Sequence, residues 1–88
     1  MDFERSKGWK KLAEPILQAA KDLDVKVIQV KEKFGGLRIY LHGGPQWLRD
    51  MSYRMEELSY HTCEYCGKEG KPRNGGWIKT LCEECYAK

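Results

Sequence analysis

No apolar run in this 88-residue sequence approaches the ~20 consecutive residues that a membrane-spanning helix needs. The opening residues Met1-Asp2-Phe3-Glu4-Arg5 lack an apolar stretch leading to a small-residue cleavage site, so neither a signal nor a transit peptide is read and a cytoplasmic chain is expected. Histidine is scarce. His42 and His61, the only two, sit in unrelated segments, and neither lies beside a Ser, Cys or carboxylate in a triad or acid–base pattern. The segment from Cys66 to Cys85 contains no histidine, which excludes the histidine base and ligand of a ββα-metal nuclease. There is no P-loop: Gly35-Gly36 and Gly43-Gly44 are turn glycines without a phosphate-cradle pattern. These absences predict a protein that is not an enzyme. The chain is also too short for a second large domain, since at this size only roughly 64% of the unfolded surface is buried on folding. Hydrophobic residues at 41% and charged residues at 33% fit one folded soluble unit.

Cysteine is absent from the first 62 residues and then appears four times, as Cys63, Cys66, Cys82 and Cys85. The pattern C-x2-C-x15-C-x2-C is the spacing of a four-thiolate zinc site, with a redox pair or an iron centre as alternatives. A cytoplasmic chain could not rely on disulfides instead. Zinc held by four thiolates has no open coordination position, so it is structural and activates no water. His61, two residues before Cys63, is a conceivable substitute ligand, but the cysteine set is already complete. Four thiolates and one Zn²⁺ lower the formal charge of +3 to about +1. Any nucleic-acid reading therefore has to rest on where cations cluster, not on the total.

Periodicity predicts an α+β fold: an αββα domain over residues 1–61, its antiparallel hairpin packed between two helices, then a zinc unit over residues 62–88, the two forming one compact body. Trp9, Leu12, Ala13, Ile16, Leu17, Ala20 and Leu23 make one face of a first helix, which Pro15 should kink or delay to a start near Lys11, and Asp24 marks its exit. Residues 25–42 switch to strand character around Gly35-Gly36. A tight turn there sets Phe34 opposite Leu37. Ile28, Val30, Phe34, Leu37, Ile39 and Leu41 then share one face, with Gln29, Lys31, Lys33, Arg38, Tyr40 and His42 on the other. Glu32 falls among the apolar set, which calls for a longer loop, a bulge or a buried cation. A second helix opens at Pro45, with Trp47, Leu48, Met51, Met55 and Leu58 as its buried stripe. Cys63–Gly67 reads as a zinc knuckle, and residues 71–81 as a small hairpin around Asn74-Gly75. Only three residues follow Cys85, so the unit is a zinc ribbon or a truncated treble clef.

The outward hairpin face (Gln29, Lys31, Lys33, Arg38, Tyr40 and His42) joins cations to an aromatic ring, a combination that suits a phosphate backbone with a stacked base or an anionic nucleotide. An ordinary solvated sheet face is the competing reading. Lys68, Lys71, Arg73 and Lys79 with Trp77 form a second basic group, in which Trp77 is expected to cover the metal core. Trp47, Tyr53, Tyr60 and Trp77 would be the anchors of a protein-binding surface if exposed.

The segments Gln29–Tyr40 (QVKEKFGGLRIY), Glu57-Leu58-Ser59, Thr62–Gly67 (TCEYCG) and Gly76–Cys82 (GWIKTLC) resemble a family of small phage- and prophage-encoded zinc-ribbon proteins, over about residues 8–86. The last ligand of that family is often histidine where this chain has Cys85, a change zinc accepts. The resemblance implies a mobile-element origin and a host-cytoplasm setting, without a particular activity. It places first a host-directed binding protein, a counter-defence inhibitor acting on a host protein or defence complex. A zinc ribbon binding nucleic acid, or a protein sequestering a nucleotide on the basic hairpin face, is the alternative.

Overall fold

The computed structural model of residues 1–88 orders its elements as α1 (Lys7–Asp22), β1 (Lys26–Lys33), β2 (Gly36–His42), α2 (Gln46–Ser59), β3 (Lys71–Arg73), β4 (Lys79–Leu81) and α3 (Glu83–Ala87). The fold is α+β, with two antiparallel hairpins and a C-terminal cluster of cysteines. No helix is long and apolar enough to cross a membrane.

In α1, Trp9, Ala13, Ile16 and Ala20 are fully buried, as the three-and-four spacing predicts. The helix begins at Lys7, ahead of the expected Lys11, and runs through Pro15. Pro15 is exposed, so the backbone bond it forfeits lies on the solvent side. The early start has a tertiary cause: the Gly8 N–H donates to the Glu64 carbonyl at 2.9 Å and the Trp9 indole donates to the Thr62 carbonyl at 2.8 Å. Asp24 ends the helix as expected, with φ +56. Val25 N–H returns to the Ala20 carbonyl and Asp24 N–H to the Lys21 carbonyl, the paired bonds of a Schellman cap.

The β1–β2 turn differs from the expected one. Lys33 pairs with Gly36 and Glu32 with Leu37, so the two turn residues are Phe34 and Gly35, at φ +54 and +83. Phe34 therefore leaves the inner face and is 68% exposed. Gly36 serves a different purpose: a Cβ there would sit 2.5 Å from the Tyr60 ring, so only glycine lets the end of α2 approach. A bulge between Val27 and Gln29 leaves Ile28 without a partner and exposed, contrary to expectation, while Val27 comes opposite Leu41. The inner face is thus Val27, Val30, Leu37, Ile39 and Leu41, packed on the buried stripe of α1.

The hairpin lies between the two helices in a particular sense, with α1 on its inner face and α2 along the open edge of β2. Ser59 Oγ accepts from Leu37 N–H at 2.9 Å, and Ser52 Oγ donates to the Ile39 carbonyl at 3.2 Å. Two buried serines, seven residues apart on one side of the helix, thus satisfy edge groups that would otherwise face solvent or another chain. The stripe of α2 is correspondingly narrower than expected. Leu48 is fully buried and Met51 and Met55 pack beside it, whereas Trp47 is 51% and Leu58 42% exposed. Pro45 is the N-cap, one place before its expected position.

Candidate functional site

The second hairpin, Lys71–Arg73 with Lys79–Leu81, is closed by the five-residue loop 74–78, centred on Gly76 and not on the expected Asn74-Gly75, and brings the two cysteine pairs together. Cys63 and Cys66 lie in a knuckle in which Gly67 N–H donates to the Cys63 carbonyl at 3.0 Å, with Gly67 at φ +83. Cys82 caps α3, its sulfur accepting from Cys85 N–H at 3.4 Å. Knuckle, hairpin and a five-residue helix that is capped by Cys82 and contains Cys85 make a C-terminal unit compatible with the expected zinc ribbon.

All four sulfurs lie within 4.8 Å of one another, and Cys66 Sγ is 3.5 Å from Cys82 Sγ. Zn–S bonds of about 2.3 Å in a tetrahedron set sulfurs about 3.8 Å apart, so this cluster fits a four-thiolate ion. The cysteines are free thiols without a disulfide. Their protons point the same way. Burial opposes ionisation of Cys63, yet the N–H groups of Cys66, Cys82 and Tyr65 bring its thiol down to about 6. The neighbouring Cys82 sulfur, with burial, pushes Cys85 up to about 12. Four crowded sulfurs cannot all carry charge until a divalent cation offsets their repulsion. With every position taken, the ion would be structural. His61 is exposed and lies outside the cluster.

Glu64, beside the first ligand, is a buried carboxylate at 4% exposure. It accepts from Ser6 Oγ at 2.7 Å and from Lys79 Nζ at 3.3 Å, bridging the start of α1 to β4. Lys11 Nζ reaches the Gly67 carbonyl at 3.2 Å, and Thr80 Oγ1 donates to the Gly35 carbonyl at 2.6 Å. The cysteine cluster is thereby tied to α1 on one side and to the β1–β2 turn on the other.

The outward hairpin face is less cationic than the sequence suggests. Gln29, Lys33, Tyr40 and His42 are exposed there, and Lys31 Nζ stands 5.7 Å from the centre of the Tyr40 ring. Arg38 is half-buried, its Nε 3.3 Å from the Glu56 carboxylate of α2. In the second basic group Lys68 pairs with Glu84, Arg73 with Glu83 and Lys79 with Glu64, leaving Lys71 alone without an acidic partner. Of the expected anchors, Trp47, Tyr53 and Trp77 are exposed and Tyr60 is half-buried.

Trp77 does not cover the metal cluster. It is 77% exposed, and its indole N–H donates to Glu32 Oε1 at 3.2 Å. Glu32 also accepts from Gly35 N–H at 2.9 Å, which resolves its placement on the apolar face without a cation or a local bulge: it closes the turn and holds the indole. Glu32, Lys33, Phe34, Gly76, Trp77 and Ile78 line a cleft of about 350 Å³ between the hairpin tips. Sequence reasoning missed Phe34 as a surface residue. Its one signal was an aromatic directly before Gly-Gly, where a one-residue shift moves it from strand to turn. No protein-family model, curated protein or solved structure matches the chain.

Proposed function

We propose that the chain is a non-enzymatic, zinc-stapled binding protein whose partner is a protein, in keeping with the host protein or defence complex, and the host-cytoplasm setting, that its resemblance to phage zinc-ribbon proteins implies. One observation carries this reading: Phe34 is held at φ +54, 68% exposed, across a cleft from Trp77, which is 77% exposed. A left-handed backbone costs a non-glycine residue about 1–2 kcal/mol, and asparagine or glycine would form the turn without that cost. The ring gives nothing back to the core. Strain retained with an exposed aromatic is a feature of recognition surfaces, and aromatic anchors dominate protein interfaces. The staple contributes by fixing Trp77 against Glu32 and Thr80 against Gly35, so that the two tips form one rigid ridge. Lys31, Lys33 and Tyr40 on the adjoining face support the second reading, in which nucleic acid or a nucleotide is bound there.

The test is affinity capture from bacterial lysate at low and high salt, with the wild-type protein beside Phe34→Asn, Trp77→Ala and a Lys31→Ala/Lys33→Ala double variant. A stoichiometric protein that resists salt, and is lost with either aromatic variant while metal content is unchanged, is expected. Salt-labile nucleic acid or a nucleotide lost only with the lysine variant would replace this reading with the second.

A further inference from the structure

The fold finishes one edge of the first hairpin and leaves the other open. Lys33 pairs with Gly36 across the two-residue turn and Lys31 with Arg38, so these residues bond to the opposite strand, while the backbone groups of the residues between them point away from it. On β2 those outward groups are capped, Leu37 N–H by Ser59 and the Ile39 carbonyl by Ser52. Their opposite numbers on β1 are Glu32 and Val30, and no third strand adjoins them. The Met1 amine donates to the Val30 carbonyl at 3.0 Å, which confirms that this carbonyl faces outward. The Val30 N–H and both backbone groups of Glu32 have no partner within the chain. Alongside runs an open groove of about 500 Å³, bounded by residues 29–32, by Asp2, Arg5 and Ser6 ahead of α1, and by Tyr65 and Lys79 of the cysteine unit. The bulge after Val27 and the turn after Lys33 limit the usable edge to residues 29–33, about 16 Å of strand.

Charge narrows what this edge accepts. Lys31 and Lys33 lie on the outward face beside it and Arg5 borders the groove, and none of the three takes part in an ion pair. The nearby acids are already engaged: Glu64 by Lys79 and Ser6, Glu32 by the Trp77 indole and Gly35 N–H, Asp2 by Glu4 N–H. A second copy of this chain pairing edge to edge would bring lysines together, which is how natural edge strands resist self-association. A strand with carboxylates on alternate residues meets no such cost. Its acids fall beside Lys31 and Lys33, and the residues between them fall beside Val30. We propose that the open edge of β1 takes an extended acidic segment of a protein partner as a third strand, with Val30 and Glu32 supplying the backbone bonds and Lys31 and Lys33 the preference for carboxylates. This edge uses neither Phe34 nor the Trp77 ring as an anchor, so it stands independently of the ridge at the hairpin tips.

The test is amide hydrogen exchange by NMR on the full-length, metal-loaded protein, titrated with the acetylated and amidated peptide Glu-Val-Glu-Val-Glu-Val. In the free protein Val30 and Glu32 should exchange faster than Lys31, whose N–H is bonded to β2. Saturating peptide is expected to slow Val30 and Glu32 by about tenfold or more and to leave Lys31 unchanged. The same peptide N-methylated at every residue keeps the charge without the strand donors, and should protect neither position. Lys31→Glu/Lys33→Glu, a change confined to the outward face, should transfer the preference to Lys-Val-Lys-Val-Lys-Val with zinc content unaltered. No protection from the acidic peptide overturns the assignment, as does equal protection of the wild-type edge by the basic or the N-methylated peptide. Protection of Val30 and Glu32 that rises with protein concentration in the absence of peptide would replace the acidic segment with a second copy. Single-stranded hexathymidylate binding at Lys31 and Lys33 more tightly than the peptide would replace it with nucleic acid.

Discussion

Phe34 and Gly8 are the residues at which local chemistry and global structure conflict most plainly. Phe34 occupies a backbone conformation that suits asparagine, so Phe34→Asn should raise stability by about 1 kcal/mol in urea denaturation while removing the proposed partner. A drop in stability would mean that the ring supports the fold, and the recognition reading would lose its ground. Gly8 has the opposite character. A Cβ there would lie 2.1 Å from the Cys63 carbonyl and 2.3 Å from Gly67 N, both backbone atoms, so helix and knuckle must part to admit it. Gly8→Ala should destabilise by about 1–3 kcal/mol despite alanine's better helix propensity, and should weaken metal retention in a chelator competition. Lys10→Ala, on the exposed side of the same turn, should do neither.

At the scale of elements, α2 is an edge cover whose serines are structural. Ser59→Ala would strand the Leu37 N–H in a buried position, at a cost of about 1–3 kcal/mol. The readout is specific: amide exchange at Leu37 should accelerate more than at Ile39, and equal protection at both would show that α2 does not close this edge. Elements of this kind separate what the sequence disclosed from what it did not. The α1 stripe and the cysteine pairs were legible because their signals are periodic or evenly spaced and act over short distances. The register of the first hairpin was not, because Phe34-Gly35 and Gly35-Gly36 are both admissible turns. Contacts from far along the chain decide between them, Tyr60 against Gly36 and Thr80 on the Gly35 carbonyl. The edge-capping roles of Ser52 and Ser59 were hidden for the same reason, since nothing local announces that a strand edge needs them. Within the candidate site the metal ligands were legible as a set. Arg38 keeps the outward face that strand alternation gives it, but alternation cannot foresee that Glu56 of α2 would pair with it.

For the molecule as a whole, the cysteine cluster is the junction through which the other parts hold their positions. The knuckle receives the start of α1 through Gly8, Trp9 and Lys11, while β4 and its preceding loop grip the β1–β2 turn through Thr80 and Trp77. Metal removal should therefore be felt beyond residues 62–88. Chelation is expected to release the Trp9 indole from the Thr62 carbonyl and Trp77 from Glu32, giving a change in tryptophan fluorescence that zinc reverses. Emission unchanged by complete metal removal would show that the junction holds without an ion. The most direct measurement is native mass spectrometry of the purified chain, with elemental analysis and thiol alkylation before and after chelation. One zinc per chain is predicted, in a colourless protein whose Cys63, Cys66, Cys82 and Cys85 resist alkylation until the chelator is added. A folded chain with no bound ion and four reactive thiols, or with these cysteines joined in disulfides, would contradict the account.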